Sequence, residues 1–244
     1  MAETVVITGA ARGIGRAAAE LFAARGWNVA VNYLHSEREA LALCGALAQR
    51  GAAALPVRAD VSQSSGAHLL IASALERFGR VDALVNNAGI AQQKLFTDIT
   101  DDDWQRMLSV DLTGVFNCCR AVLPSMIHNK SGRIINVSSV WGVCGASCEV
   151  HYSAAKAGVI GLTKALAKEV GLSGISVNCI APGVIDTDMN SALGADTLAQ
   201  LAGDTPLGRI GTPREAAQAI YFLAGGEAAF ITGQVLGVDG GFGM

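Results

Sequence analysis

Residues 4–24 read TVVITGAARGIGRAAAELFAA, a short β-branched run that passes through a glycine-rich turn into an Ala-rich stretch. Thr4 to Ile7 has the continuous apolar character of a strand covered on both faces. From about Ile14 the apolar residues recur at three- and four-residue intervals, the spacing of a helix with one buried side. Between them, Gly9, Gly13 and Gly15 let the backbone turn tightly. Such a turn leaves free N–H groups at the helix start, where the helix dipole favours an anion such as a pyrophosphate. The spacing is G-x-x-x-G-x-G, not G-x-G-x-x-G, so the three glycines by themselves are also consistent with a plain tight turn. The strand before them and the helix after favour a nucleotide.

The alternation continues along the chain. NVAVNY is followed by a helical stretch from Glu37 and ALPVRADV by one from Gln63, and then come DALVNNAG, RIINVSS, ISVNCIAPG and QVLGVDGG. This order predicts an α/β fold: a Rossmann-like, doubly wound parallel sheet of about seven strands with helices on both faces, in three α/β/α layers. Ser36 with Glu39 fits a capping box, Thr100 precedes the acidic run Asp101, Asp102, Asp103, and Thr212 with Pro213 fits an N-cap and first helical position. A chain of 244 residues fills such a fold as one domain over residues 1–244. The less regular segment at about 186–209 follows a strand's carboxyl end and is a candidate substrate lid.

Bulk composition excludes several classes. Hydrophobic residues make up 51% and mean hydropathy is +0.37, yet no apolar run reaches the roughly 18 to 20 residues that span a bilayer. The excess points to a buried sheet or a subunit interface, and no membrane partner is expected. MAETVVITGA does not resemble a secretory signal, so a cytoplasmic location is expected. A net charge of -3 with scattered Lys and Arg argues against a nucleic-acid partner. The six cysteines (Cys44, Cys118, Cys119, Cys144, Cys148 and Cys179) form no C-x-x-C pair and no zinc spacing, so no metal is expected and most should be buried thiols.

The second strand qualifies the nucleotide. A site for NAD usually carries an Asp or Glu about 20 residues beyond the glycines, to hold the ribose 2'-hydroxyl. Here that region is Asn32, Tyr33, Leu34, His35, with no carboxylate before Glu37. Arg12 inside the glycine loop can face a 2'-phosphate, with Asn32, His35 or Ser36 as further donors, which favours NADP(H) over NAD(H). Asp60, after the third strand, can accept from the adenine amine or serve as the N-cap of the next helix.

Tyr152 and Lys156 lie four residues apart in YSAAK, on one helix face, where an ammonium beside a phenol favours the phenolate and lowers a pKa that starts near 10. Such a pair alone is usually a solvated helix face. With TGAARGIG, NNAG at 86–89, VSS ending in Ser139 thirteen residues before Tyr152, YSAAK, and PGVIDT at 182–187, the chain resembles the short-chain dehydrogenase/reductase family. The resemblance runs over essentially the whole chain, including the closing ITGQVLGVDGG, and is greatest to the bacterial 3-oxoacyl-[acyl-carrier-protein] reductases.

The resemblance implies that Tyr152 protonates a carbonyl oxygen while the reduced cofactor delivers hydride to carbon. Ser139 bonds the same oxygen, and Lys156 also holds the nicotinamide ribose. The implied cofactor residues are Gly9, Arg12, Gly13, Ile14, Gly15, Asn32, Tyr33, His35, Ser36, Asp60, Val61, Asn87, Ala88, Gly89, Tyr152, Lys156, Pro182, Gly183, Ile185 and Thr187. The implied substrate residues are Ser139, Trp141, Glu149 and Tyr152. One position departs: the family usually has Asn where SVDLTGVF supplies Asp111, a catalytic candidate that either acts through its main-chain carbonyl or alters the charge around the lysine. The sequence alone leads one to expect that Asp111→Asn keeps most activity.

The substrate is then a small-molecule or carrier-bound ketone, a 3-oxoacyl thioester first, and the resemblance implies a homotetramer. Glu149, three residues before Tyr152, is either a solvated acid or a receptor for a cationic substrate group, as an aminoketone on elongation factor P would need. An acidic carrier would need basic residues at the entrance, for which Lys130 and Arg133 are candidates, although Ser173 stands where that subgroup often has Arg. His151 is expected to be packing or rim. Reduction of another small-molecule or steroid ketone, a non-catalytic NADP sensor and a structural partner subunit are the remaining readings, and the intact Ser/Tyr/Lys set argues against the last two.

Overall fold

A computed structural model describes residues 2–190 and 193–243. Seven parallel strands form one sheet: β1 (Thr4–Ile7), β2 (Asn28–Tyr33), β3 (Ala54–Arg58), β4 (Ala83–Asn86), β5 (Gly132–Val137), β6 (Ile175–Pro182) and β7 (Val235–Val238). Their order is β3-β2-β1-β4-β5-β6-β7. The chain reverses its direction of travel across the sheet between β1 and β4, and open α/β sheets bind ligands beyond the strand ends at that point.

Strand alternation divides the core into two layers. Val5, Ile7, Val29 and Val31 face one side, under α1 (Gly13–Ala24), α2 (Glu37–Gln49) and α9 (Pro213–Ala224), where Phe22, Leu43, Leu47 and Ile220 pack. Val6, Ala30, Leu84, Ile134 and Val177 face the other, under α3 (Ser64–Phe78), α5 (Gly114–Asn129) and α7 (Val150–Val170). Because both faces are covered, β1 is buried along its whole length as TVVI suggested, and the polar residues of the other strands, such as Asn32, Asn136, Ser176 and Asn178, are buried as well. Burial pushes the Cys44 and Cys179 thiols up to about 11 and Cys119 up to about 12, and Cys118 also rises, so these four stay protonated core side chains. Cys144 is exposed and Cys148 half-buried.

Two expected helix starts are present as reciprocal capping boxes, Thr100 with Asp103 at α4 (Asp101–Leu108) and Thr212 with Glu215 at α9. Ser36 differs: its side chain makes no cap bond to α2, and Glu39 instead meets the Arg38 guanidinium at 3.1 Å. Asp60 is not the N-cap of α3 either. That position is Gln63, and Asp60 Oδ1 accepts from the Ser62 N–H and hydroxyl, closing the turn before the helix. The segment expected as a lid contains a 3-10 turn at Asp188–Asn190 and α8 (Ala195–Asp204), which has no buried residue; Ser191 and Ala192 lie outside the described residues. Among the described residues no helix is long and apolar enough to cross a membrane, and no cluster of His, Cys, Asp or Glu is arranged to hold a metal.

Candidate active site

The glycine loop lies at the carboxyl end of β1, clamped against the end of β4. Thr8 Oγ1 accepts from the Asn87 and Ala88 N–H groups, both at 2.9 Å, and the Asn87 amide donates back to the Thr8 and Gly9 carbonyls. The loop passes so near these partners that side chains are excluded. A Cβ on Gly15 would sit 2.5 Å from Gly9 O and 2.6 Å from Asn87 Nδ2, and one on Gly9 would sit 2.9 Å from Ala88 Cα. Gly9 and Gly13 also have φ of +61° and +54°, a left-handed region that side chains disfavour. A Cβ on Gly13 would meet Thr187 Cγ2 at 3.3 Å, so bare backbone faces the PGVIDT segment across a narrow gap. With the N-terminus of α1 at its edge, this cradle fits a pyrophosphate.

The loop's outer side is less simple than the sequence suggested. Asn32 is not a free phosphate donor: it is buried, its amide N–H groups reach the Val57 and Ala59 carbonyls, and its oxygen accepts from Gly9 N–H. It ties β2 to β3 and steadies the loop. Tyr33 is also buried, with its hydroxyl on Glu37 at 3.2 Å, and burial followed by that carboxylate raises its pKa. His35 is exposed and Ser36 half-buried at the same edge. Arg12 is exposed and 3.4 Å from Asp188. Glu39 feels both Arg12 and Arg38, so Arg38 is a second cation near this edge that the sequence reading passed over. Its position two residues after Ser36 was the available signal.

Asp60 and Val61 sit at the end of β3, held by Asn117, whose amide donates to the Val61 and Ser62 carbonyls. Across the sheet, Pro182 ends β6. Ile185 is buried and bridged to Gly211, while Thr187 donates to the Ile185 carbonyl. A Cβ on Gly183 would sit 2.8 Å from Asp239 Cα, another close backbone passage.

Ser139, Tyr152 and Lys156 come together at the carboxyl end of β5. Ser139 is the N-cap of α6 (Val140–Cys144), and its oxygen accepts from the Trp141 N–H at 3.1 Å, which leaves its own proton to donate. Tyr152 and Lys156 occupy successive turns of α7, with the Lys156 Nζ 5.6 Å from the centre of the Tyr152 ring. Lys156 donates to Val137 O at 3.1 Å and also lies 3.1 Å from Asp111 Oδ2. Asp111 is wholly buried, in a π-helical turn (Ser109–Thr113) that joins α4 to α5, and its Oδ1 accepts from the Ile90 N–H at 2.9 Å.

These contacts revise the electrostatics expected of Tyr152. Burial raises its pKa above the ordinary phenol value; Asp111 and Glu149 add to the rise, while Lys156 and a hydrogen bond with Ser139 oppose it. The lysine therefore acts in the expected sense but does not set the net direction. Burial works against the Lys156 charge, yet Asp111 and Tyr152 outweigh it and hold the ammonium above its usual value. Burial also lifts the Asp111 carboxyl, against the pull of Lys156 and of the Ile90 N–H.

On the substrate side, Trp141 is half-buried and meets Phe242 edge to face at 5.2 Å. Glu149 is the N-cap residue of α7 without a side-chain cap bond; it accepts from Gln93 at 3.1 Å, and burial raises its pKa against that bond. His151 is packing, buried with Nε2 2.9 Å from Gln92 Oε1. Gln92 also donates to Asp103, which Lys94 meets at 2.6 Å, so the loop after NNAG is tied to both α4 and α7. Lys130 and Arg133 are not at the entrance: they flank the amino end of β5, roughly 20 Å from Ser139 by strand rise.

Comparison with known proteins agrees with this geometry. Residues 9–243 match a family model described as enoyl-(acyl carrier protein) reductase. A 3-oxoacyl-[acyl-carrier-protein] reductase of Synechocystis is 46% identical over 100% of this chain and 98% of its own length. One from Staphylococcus aureus is 40% identical over 100% and 99%. The crystal structure of a 3-oxoacyl-[acyl-carrier protein] reductase from Brucella melitensis superposes with a TM-score of 0.92 at 38% identity, covering 99% of this chain and 91% of that one. With the glycine cradle, the Ser139–Tyr152–Lys156 cluster and full-length relatives in agreement, the chain belongs to the short-chain dehydrogenase/reductase family and is an oxidoreductase.

Proposed function

We propose that the protein is an NADPH-dependent carbonyl reductase acting first on 3-oxoacyl thioesters carried by an acyl carrier protein, which it converts to the 3-hydroxy product. The observation that carries this reading is the convergence of the Ser139 and Tyr152 hydroxyls, with the Lys156 ammonium behind them, at the edge of a nucleotide cradle. The bound nicotinamide would supply the hydride. Ser139, its oxygen already accepting from Trp141, donates to the carbonyl oxygen and orients it. Tyr152 passes its proton to that oxygen as charge develops there, the role of a general acid. Lys156 donates to Val137 O and pairs by charge with Asp111, which leaves its ammonium donor capacity for a ribose hydroxyl.

Arg12 and Arg38 support NADP(H) over NAD(H), because a guanidinium pairs with a phosphate dianion more strongly than with a hydroxyl. The homotetramer remains what the resemblance implies, and exposed Leu172 and Phe230 are apolar side chains that a subunit interface would cover. A second substrate reading rests on Glu149, a half-buried carboxylate three residues before Tyr152 that suits a ketone bearing an ammonium group, such as the aminoketone on elongation factor P.

Initial rates of NADPH and NADH oxidation on acetoacetyl thioester, crotonyl thioester and an aminated ketone test both readings, in wild type and Glu149→Gln. The expected result is turnover of the acetoacetyl thioester, faster with NADPH. Preference for the aminated ketone, lost in Glu149→Gln, would transfer the assignment to the second reading. Turnover of the crotonyl thioester alone would replace carbonyl with alkene reduction, and cofactor binding without turnover of any substrate would overturn the enzyme reading.

A further inference from the structure

The contact between Asp111 and Lys156 places a carboxyl group directly against the ammonium at the centre of the site. Both side chains are nearly inaccessible, at 0% and 5%, and lie 3.1 Å apart. The carboxylate is fixed from both ends, Oδ1 by the Ile90 N–H and Oδ2 by the ammonium. Gly89 caps the pair with bare backbone: a Cβ there would fall 2.7 Å from Asp111 Oδ2 and 3.2 Å from Lys156 Nζ. An amide in place of the carboxylate, with its oxygen kept on Ile90, would turn its NH2 toward the ammonium, donor against donor.

From the phenol, Lys156 and Asp111 therefore act as a dipole rather than a lone cation, and the field of a close pair falls off faster than that of either charge. The other titratable groups around the cluster do not restore the missing charge. His151 and Glu149 lie at the start of α7, Cys179 on β6 is a buried thiol, and Glu149 acts on Tyr152 in the same sense as Asp111.

We propose that Asp111 is a positioning residue that sets the charge of the site: its carboxylate offsets the Lys156 ammonium, holds the Tyr152 hydroxyl as a proton donor, and confines the reverse reaction, which needs the phenolate, to more alkaline solution. The proposal rests on the carbonyl-reductase reading and adds to it which charge state of the site is favoured.

The test is the pH dependence of kcat/KM for ketone reduction and alcohol oxidation, in wild type and Asp111→Asn. Removing the carboxylate leaves the lysine uncompensated, so the alkaline limb of reduction and the rising limb of oxidation should both move toward acid by about one unit, a tenfold change in phenolate fraction at a given pH. Limbs that stay in place, or move toward alkali, would overturn the proposal.

An independent measurement needs only the native charge pair: the ultraviolet phenolate signal of wild type minus Tyr152→Phe, followed through a pH titration. The account expects that transition above the ordinary phenol value of about 10, whereas phenolate near neutrality would overturn it even if Asp111→Asn does not fold. Wild type with the expected phenol titration but no ketone turnover would sink the reductase reading and leave the charge assignment standing.

Discussion

Tyr152→Phe is expected to lower kcat on the acetoacetyl thioester by about 10³-fold, within the span that general acid catalysis supplies. The substitution removes one oxygen and keeps the ring, which is 8% exposed and packs with Met107 and Ala155. Fold and cofactor cradle should be untouched, because the glycine loop is held by Thr8, Asn32 and Asn87 and makes no use of Tyr152. NADPH affinity, read by fluorescence titration, is therefore expected to change by no more than the loss of one hydroxyl contact to the cofactor, a few-fold, while turnover collapses. A variant that keeps most of its turnover would show that another group protonates the oxygen.

Lys156→Met has the largest expected effect on stability. It keeps most of the stem volume and removes the ammonium, which leaves Asp111 fully buried without its cation. Breaking one side of a buried pair costs about 3–5 kcal/mol, because the remaining charge is neither solvated nor paired. The pH dependence follows from Asp111, whose carboxyl burial already raises and which loses its main opposing charge in the variant. A carboxyl raised in the folded chain favours folding below its unfolded pKa, near 4, and that contribution is lost as pH rises through the folded value. Urea midpoints should therefore show a deficit that is small near pH 4.5 and grows toward pH 8. An equal deficit at both pH values would mean that the bare carboxylate is not what destabilises the variant.

The repeated strand–helix pattern made the sheet legible because parallel strands covered on both faces are spelled as continuous apolar runs, and TVVI, NVAVNY and RIINV each became one. Thr100 and Thr212 were readable as caps because their partners lie three residues away in sequence. Ser36 met the same spacing and failed, since Glu39 pairs with Arg38 instead, and no local pattern ranks those two options. Tyr152 and Lys156 could be paired from helical spacing alone, whereas the pairing of Lys156 with Asp111 could not: it joins residues 45 positions apart through a π-helical turn that aims the carboxylate inward. The net direction of the Tyr152 shift was misjudged for that reason, as spacing shows the cation while only packing shows the burial and the opposing anion. Asn32 was similarly misread as a free donor, because the β3 carbonyls that occupy it lie more than twenty residues downstream.

The most direct test of the central claim is a crystal structure with NADPH and a 3-oxo or 3-hydroxy thioester analogue. The oxygen at C3 is expected within about 3 Å of both the Tyr152 Oη and the Ser139 Oγ, with the nicotinamide between that carbon and the glycine loop. An oxygen that meets neither hydroxyl, or a nicotinamide lying away from the β4–β5 end of the sheet, would contradict it.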